Sequence, residues 1–128
     1  MAKESLVRCD TNILIEFYKE NPSILAELRG VGQQNIAMSI ITVGELLYGA
    51  LNKEEYRQID RDLAHLEVFH LDTVIGEFFI ELMNKYSLSH NLSLPDGLIA
   101  ATALIEDIPL YTLNKKDFSY IEGSKLYQ

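Results

Sequence analysis

Asn35-Ile-Ala-Met-Ser-Ile40 runs directly into Ile41-Thr-Val-Gly-Glu-Leu-Leu-Tyr-Gly-Ala-Leu51, and the spacing of apolar residues changes between the two halves. The first half is a short, mostly apolar run, as in a strand buried on both faces. In the second half Val43, Leu46, Leu47, Ala50 and Leu51 recur at i, i+3, i+4, i+7 and i+8, which predicts one apolar face of a helix. A strand that feeds a helix without a loop is half of a β–α–β unit. Glu45 lies on it, about one turn into the helix.

The same alternation continues in both directions. Upstream, Ser5–Cys9 reads as a short buried strand and Asn12–Lys19 as a helix carrying Ile13, Leu14, Phe17 and Tyr18. Pro22 opens a further helix with Ile24, Leu25 and Leu28 on one side and Gly30 and Gly32 as its stop. Downstream, Glu54–Leu66 predicts a helix with Tyr56, Ile59, Leu63 and Leu66 inward, and Val68–Leu71 a third strand. Asp72 or Thr73 caps the next helix, whose stripe is Ile75, Phe78, Phe79, Leu82, Met83 and Tyr86. Pro95 stands in the first turn of a helix running to about Glu106, Leu110–Leu113 is a fourth strand, and Lys125–Tyr127 a fifth at the edge. This order predicts an α/β fold: a three-layer α/β/α sandwich around a central, mostly parallel sheet of four to five strands. No repeat or linker-like run interrupts it, so residues 1–128 read as a single domain. In such sheets, sites form beyond the C-terminal ends of the strands.

Bulk composition narrows the function. The 128 residues are 48% hydrophobic and 23% charged, an ordinary globular balance. Cys9 is the only cysteine, so no disulfide framework or cysteine-based metal site is available. No signal peptide is read at the N-terminus and no run is apolar enough to span a bilayer, which gives the expectation of a cytoplasmic protein. The net charge of −8 argues against coating nucleic acid through a broad basic face. It is compatible with an acidic pocket whose bound cations face a phosphate, and with a basic partner.

Four acids fall where strand ends and helix starts meet. Asp10 follows the first strand, where an N-cap is the ordinary explanation. Glu45 comes three residues after Thr42, the spacing of a capping box. Asp96 sits in a first helical turn, where the helix dipole favours a negative charge by about 0.3–1 kcal/mol. Gly97, Ala100, Ala101 and Ala103 let that helix approach a neighbour closely. Asp117 follows the fourth strand in a loop with Asn114, and a turn aspartate there is common. Each position has a structural explanation, but the four together converge on one end of the sheet. Carboxylates gathered in one pocket raise each other's pKa unless a cation intervenes. Oxygen ligands alone suit Mg²⁺ or Mn²⁺, which can activate water and stabilise the oxygen leaving a phosphodiester, with one or two ions.

Asp10-Thr11-Asn12, Ser39 through Glu45 to Gly49, Pro95-Asp96 through Ala103, and Thr112 through Asp117-Phe118 together resemble the PIN domain, and within it the VapC-type toxins. The likeness spans essentially the whole chain. It implies a Mg²⁺- or Mn²⁺-dependent endoribonuclease, a homodimer, whose substrate is RNA and whose partner is a cognate VapB-type antitoxin wrapped on the N-terminal helices. It carries over Asp10, Glu45 and Asp96 as the acidic core, with Asp10 and Asp96 the principal metal ligands. Asp117 or Asn114 fills the fourth position, and Thr11, Asn12, Ser39 and Thr112 support the acids through hydrogen bonds. A dehalogenase-type phosphatase would need an aspartate where Asn12 stands. A non-catalytic binding module with a degenerate pocket is the alternative, prompted by Asn114. His65, His70 and His90 show no metal-ligand spacing, and Tyr48 is read as a stacking surface or as core.

Overall fold

In the computed structural model, which describes residues 5–128, four strands lie side by side in the order β3-β2-β1-β4. They are β1 (Val7–Cys9), β2 (Ile36–Ser39), β3 (Glu67–Phe69) and β4 (Leu110–Tyr111). Every pairing is parallel, with Val7 opposite Ile36, Met38 opposite Val68 and Cys9 opposite Tyr111. Each return to the sheet passes through two helices. α1 (Thr11–Tyr18) and α2 (Pro22–Val31) join β1 to β2, α3 (Ile40–Tyr48) and α4 (Lys53–Leu63) join β2 to β3, and α5 (Thr73–Tyr86) and α6 (Leu94–Glu106) join β3 to β4.

Strand alternation divides the core in two. Cys9, Ile36 and Met38 point to one face and pack with Ile13, Leu14, Ile24, Leu28, Leu46, Ile59 and Leu63 of α1–α4. On the opposite face Leu110 packs with Ile75, Leu82, Tyr86, Ile99 and the alanines of α6. The sheet is thus covered on both sides, an α/β/α sandwich. Small residues on α6 let α5 come close, because a Cβ on Gly97 would stand 3.0 Å from the Phe79 ring and 3.1 Å from the Met83 sulfur. Among the described residues no helix is long and apolar enough to cross a membrane.

Several boundaries differ from the sequence reading. α3 stops at Tyr48, with Gly49 as its C-cap, so Ala50 and Leu51 lie beyond it; Ala50 still packs on the core, whereas Leu51 is 86% exposed. The cause lies next door: Asn52 caps α4 by accepting from Glu55 N–H at 2.8 Å, which commits the intervening residues to a turn. Tyr48 is 92% exposed and therefore not core. Tyr56, expected inward, is 46% exposed, since Ile59 and Leu63 alone supply the buried face of α4. Gly30 lies inside α2, and Gly32, at φ +90°, ends it. Asp72 rather than Thr73 caps α5. β4 is only two residues long, and Leu113 is exposed outside it. The expected fifth strand is a single parallel bridge between Leu126 and Leu110.

The strand order also says where to look for chemistry. From β1 the chain builds outward to β2 and β3, then crosses back to lay β4 on the other side of β1. The reversal lies between β1 and β4, and ligands of open parallel sheets bind beyond the strand ends at such a switch.

Candidate functional site

Asp10 leaves β1 and Thr112 leaves β4, so the two residues meet at the switch. The buried Asp10 carboxylate accepts from Thr11 N–H at 2.7 Å on one oxygen and from the Thr112 hydroxyl at 2.8 Å on the other. Thr112 Oγ1 in turn accepts from Asn12 Nδ2 at 3.3 Å and from Asn114 N–H at 3.1 Å, while Leu113 N–H donates to Asn12 Oδ1 at 3.2 Å. One threonine hydroxyl therefore ties both strand-end loops to the same carboxylate.

Glu45 reaches this pocket from α3. The helix begins three residues earlier than the Thr42 capping box requires: Ser39 is the N-cap, accepting from Ile41 N–H at 3.1 Å and Thr42 N–H at 3.3 Å. Glu45 is thus released from capping duty, and its carboxylate accepts from the Thr11 hydroxyl, which lies 3.2 Å from that of Thr42. Thr11 links two acids, through its N–H to Asp10 and its hydroxyl to Glu45. Ser39 bonds no acid itself and acts by fixing the start of α3.

Asp96 comes from the first turn of α6. Ser93 caps that helix by accepting from Asp96 N–H at 3.2 Å, and it also engages the Asp96 carboxylate. Burial, and then the neighbouring Asp10 and Asp117 charges, push its pKa up to about 6, opposed by the hydrogen bond with Ser93 and helped slightly by Glu45. Burial also raises Asp10, reinforced by Glu45 and Asp117 and opposed by the hydrogen bonds from Thr112 and Thr11. Asp117 closes a 3₁₀ turn, Lys115–Asp117, and is followed by the buried Phe118. It faces the pocket closely enough to disturb both Asp10 and Asp96. Asn114 reaches the site through its backbone N–H, so of the two fourth-position candidates the geometry brings Asp117 to the pocket wall.

The donor chemistry suits a hard divalent cation: four carboxylates and hydroxyls, with no nitrogen or sulfur. Among the described residues no three acid, imidazole or thiol side chains already enclose a metal position. The fit is to an ion that keeps several waters and takes one or two carboxylates, as Mg²⁺ does, rather than to a closed cage. Sequence reading passed over Ser93 and the Thr42 hydroxyl. The Ser93-x-x-Asp96 spacing was the available signal for the first; nothing local marks the second.

Residues 7–123 match the profile of the PIN domain. The chain belongs to the PIN domain family. It is 37% identical over 91 residues to Ribonuclease VapC10 of Mycobacterium tuberculosis, covering 70% of this chain and 68% of that relative. It is 30% identical over 131 residues to Ribonuclease VapC1 of Methanocaldococcus jannaschii, covering 98% and 89%. Among solved structures it resembles VapBC2 from Rickettsia felis bound to a DNA fragment from their promoter, with a TM-score of 0.79, 26% identity, and 95% and 97% of the two chains covered. In this PIN domain the four acids come from four separate segments: the ends of β1 and β4, the body of α3 and the first turn of α6.

Proposed function

We propose that this PIN domain is the toxin of a VapBC-type module, an endoribonuclease dependent on Mg²⁺ or Mn²⁺ that hydrolyses RNA phosphodiester bonds. The observation that carries the reading is Asp96: a carboxyl raised to about 6 by burial among other acids, at the strand-order switch. Such an arrangement costs folding stability and is relieved by a cation. The ribonuclease names of the relatives VapC10 and VapC1 support RNA as the substrate.

Asp10 and Asp96 would hold the ion, with Glu45 beside them and Asp117 on the outer wall. When bound, such an ion supplies an acidified water and neutralises charge on the phosphate and its departing oxygen. Thr11 and Thr112 keep the Asp10 oxygens in fixed orientation, and Asn12 and Asn114 hold Thr112. These bonds spare the site reorganisation when the substrate arrives.

The proposed antitoxin partner, of VapB type, has a place to bind. A groove of about 520 Å³ runs between α1, α2 and α4, lined by Leu14, Phe17, Tyr18, Leu25, Leu28 and Leu63. A basic segment extending from it would meet the acidic pocket of a chain carrying −8. A homodimer and a cytoplasmic location complete the proposal; sedimentation of the purified chain tests the first.

Purified protein with Mg²⁺ or Mn²⁺ is expected to cleave RNA, and Asp10→Asn or Asp96→Asn to abolish cleavage. Undiminished cleavage by either variant overturns the assignment. The open spacing of the acids favours one second reading, a PIN module that binds without cutting. Calorimetric titration with Mn²⁺ separates the two, because absence of binding at millimolar concentration supports the module.

A further inference from the structure

A cleft of about 310 Å³ that includes two of the acids is lined by His90, Asn91, Asp96, Lys116, Asp117 and Tyr120. The residues opposite the acids are aromatic. The His90 imidazole and the Tyr120 ring are stacked, with centroids 4.2 Å apart and planes 10° from parallel. Tyr86 braces both rings edge-on, at 5.1 Å from Tyr120 and 5.6 Å from His90. Ser89 Oγ lies 2.8 Å from His90 Nδ1 and steadies the imidazole further. His90 is exposed, yet both aromatic neighbours and Ser89 contact its ring. Tyr120 lines the same cleft as Asp96 and Asp117.

A stacked, edge-braced pair of flat rings on an otherwise acidic surface needs a reason. No apolar core is completed by an exposed imidazole, and no metal-ligand spacing involves it. A third flat ring would extend the stack, and unpaired nucleobases are recognised in this way, on aromatic side chains next to a phosphate contact. The volume lies at the low end of ligand pockets and cannot admit a duplex. Lys116 supplies the cation for a flanking phosphate.

We propose that the cleft between the His90–Tyr120 stack and Asp96–Asp117 binds one unpaired nucleobase of the RNA next to the bond that is cut. This deepens the nuclease reading and rests on it for the position of the cut. His90 and Tyr120 are binding residues here, and neither has a role in the bond-breaking chemistry.

The test is an abasic scan. A single-stranded RNA that the protein cleaves is remade with one abasic nucleotide at each position flanking the cut. Loss of one stacked base is expected to lower kcat/KM by about 5- to 150-fold at a single position. That penalty should fall below about twofold in His90→Ala and Tyr120→Leu and persist in Tyr120→Phe, following the logic of a double-mutant cycle. An abasic penalty equal to the unmodified protein's in both His90→Ala and Tyr120→Leu overturns the proposal. Tyr120 is partly buried and its leucine variant can misfold, so His90→Ala, at an exposed position, decides the matter if thermal melting shows that loss. If the unmodified protein cuts no RNA, the nuclease reading fails separately. The subsite is then judged by binding: with three histidines in the chain, the His90 imidazole NMR signal is readily assigned. It should shift with a single-stranded RNA hexamer and stay fixed with a blunt duplex, and any other pattern overturns the subsite.

Discussion

Replacing Asp96 by asparagine should make the metal-free protein more stable, even as it destroys the site. The carboxyl, ordinarily near 3.8, is raised to about 6 in the fold. The folded chain therefore binds this proton more tightly than the unfolded one. Stability is greatest below the lower value, falls as pH rises between the two, and the full cost is present above about pH 6. A shift of about two units corresponds to a ceiling of roughly 3 kcal/mol, which solvent screening of a half-buried group reduces to about 1–2 kcal/mol. Against this, asparagine forfeits the attraction between a carboxylate and the α6 N-terminus, about 0.3–1 kcal/mol. The Ser93 bond to the backbone N–H of residue 96 is kept, and the asparagine amide can replace the carboxylate as the partner of the Ser93 side chain. The net expectation is a gain of about 1 kcal/mol at pH 8, or a Tm higher by about 3–6 °C, vanishing at pH 4 and below. Thermal melts in EDTA across this range measure it directly. Adding Mg²⁺ should raise the Tm of the unmodified chain and leave Asp96→Asn nearly unmoved. A variant no more stable than its parent at pH 8, or one with the same gain at both pH values, refutes the reasoning.

Three other perturbations give distinct outcomes. Thr112→Val removes the hydroxyl that donates to Asp10 and accepts from Asn12 and Asn114. It should cost about 1–3 kcal/mol in urea unfolding and weaken Mn²⁺ binding about tenfold or more by calorimetry. Arg8 is fully buried, has no hydrogen-bond partner on any guanidinium nitrogen among the described residues, and lies 4.6 Å from the Phe69 ring centre; burial lowers its pKa to about 10 although Glu106 opposes this. Arg8→Met should therefore stabilise the fold, by about 1–3 kcal/mol, and a lower urea midpoint would contradict that. Gly97→Ala gains about 1 kcal/mol of helix propensity but crowds Phe79 and Met83, an overpacking cost of about 1–3 kcal/mol, so a net loss near 1 kcal/mol is expected on thermal melting.

The layered fold was legible because period and length carry it: apolar runs in β1 and β2 and helical stripes in α5 and α6 need no tertiary knowledge. Helix ends were less so. Val43 through Leu51 has a helical period to its last residue, but Gly49 and the Asn52 cap compete for the same backbone, and that competition is settled by energies of about 1 kcal/mol. Asp10, Glu45, Asp96 and Asp117 were legible as positions, each beside a strand end or helix start. Their relation was not. Asp10 and Thr112 are 102 residues apart, and their hydrogen bond exists only because β4 returns to the far side of β1. Thr42 and Glu45 matched a capping box one helical turn too late, since Ser39 offers the earlier cap. The His90–Tyr120 stack had no local signature at all: the two rings come from different segments and stack directly, with Tyr86 edge-on to both.

The central claim is that these acids gather a divalent ion whose water cuts RNA, and fragment mass tests it most directly. Water as the nucleophile leaves linear phosphate ends, whereas attack by the ribose 2′-hydroxyl leaves a cyclic phosphate lighter by one water. Mass spectrometry of RNA incubated with the purified chain should show linear-ended fragments with Mg²⁺ or Mn²⁺ and none in EDTA. Cyclic phosphate ends, or fragments that persist in EDTA, would contradict the account.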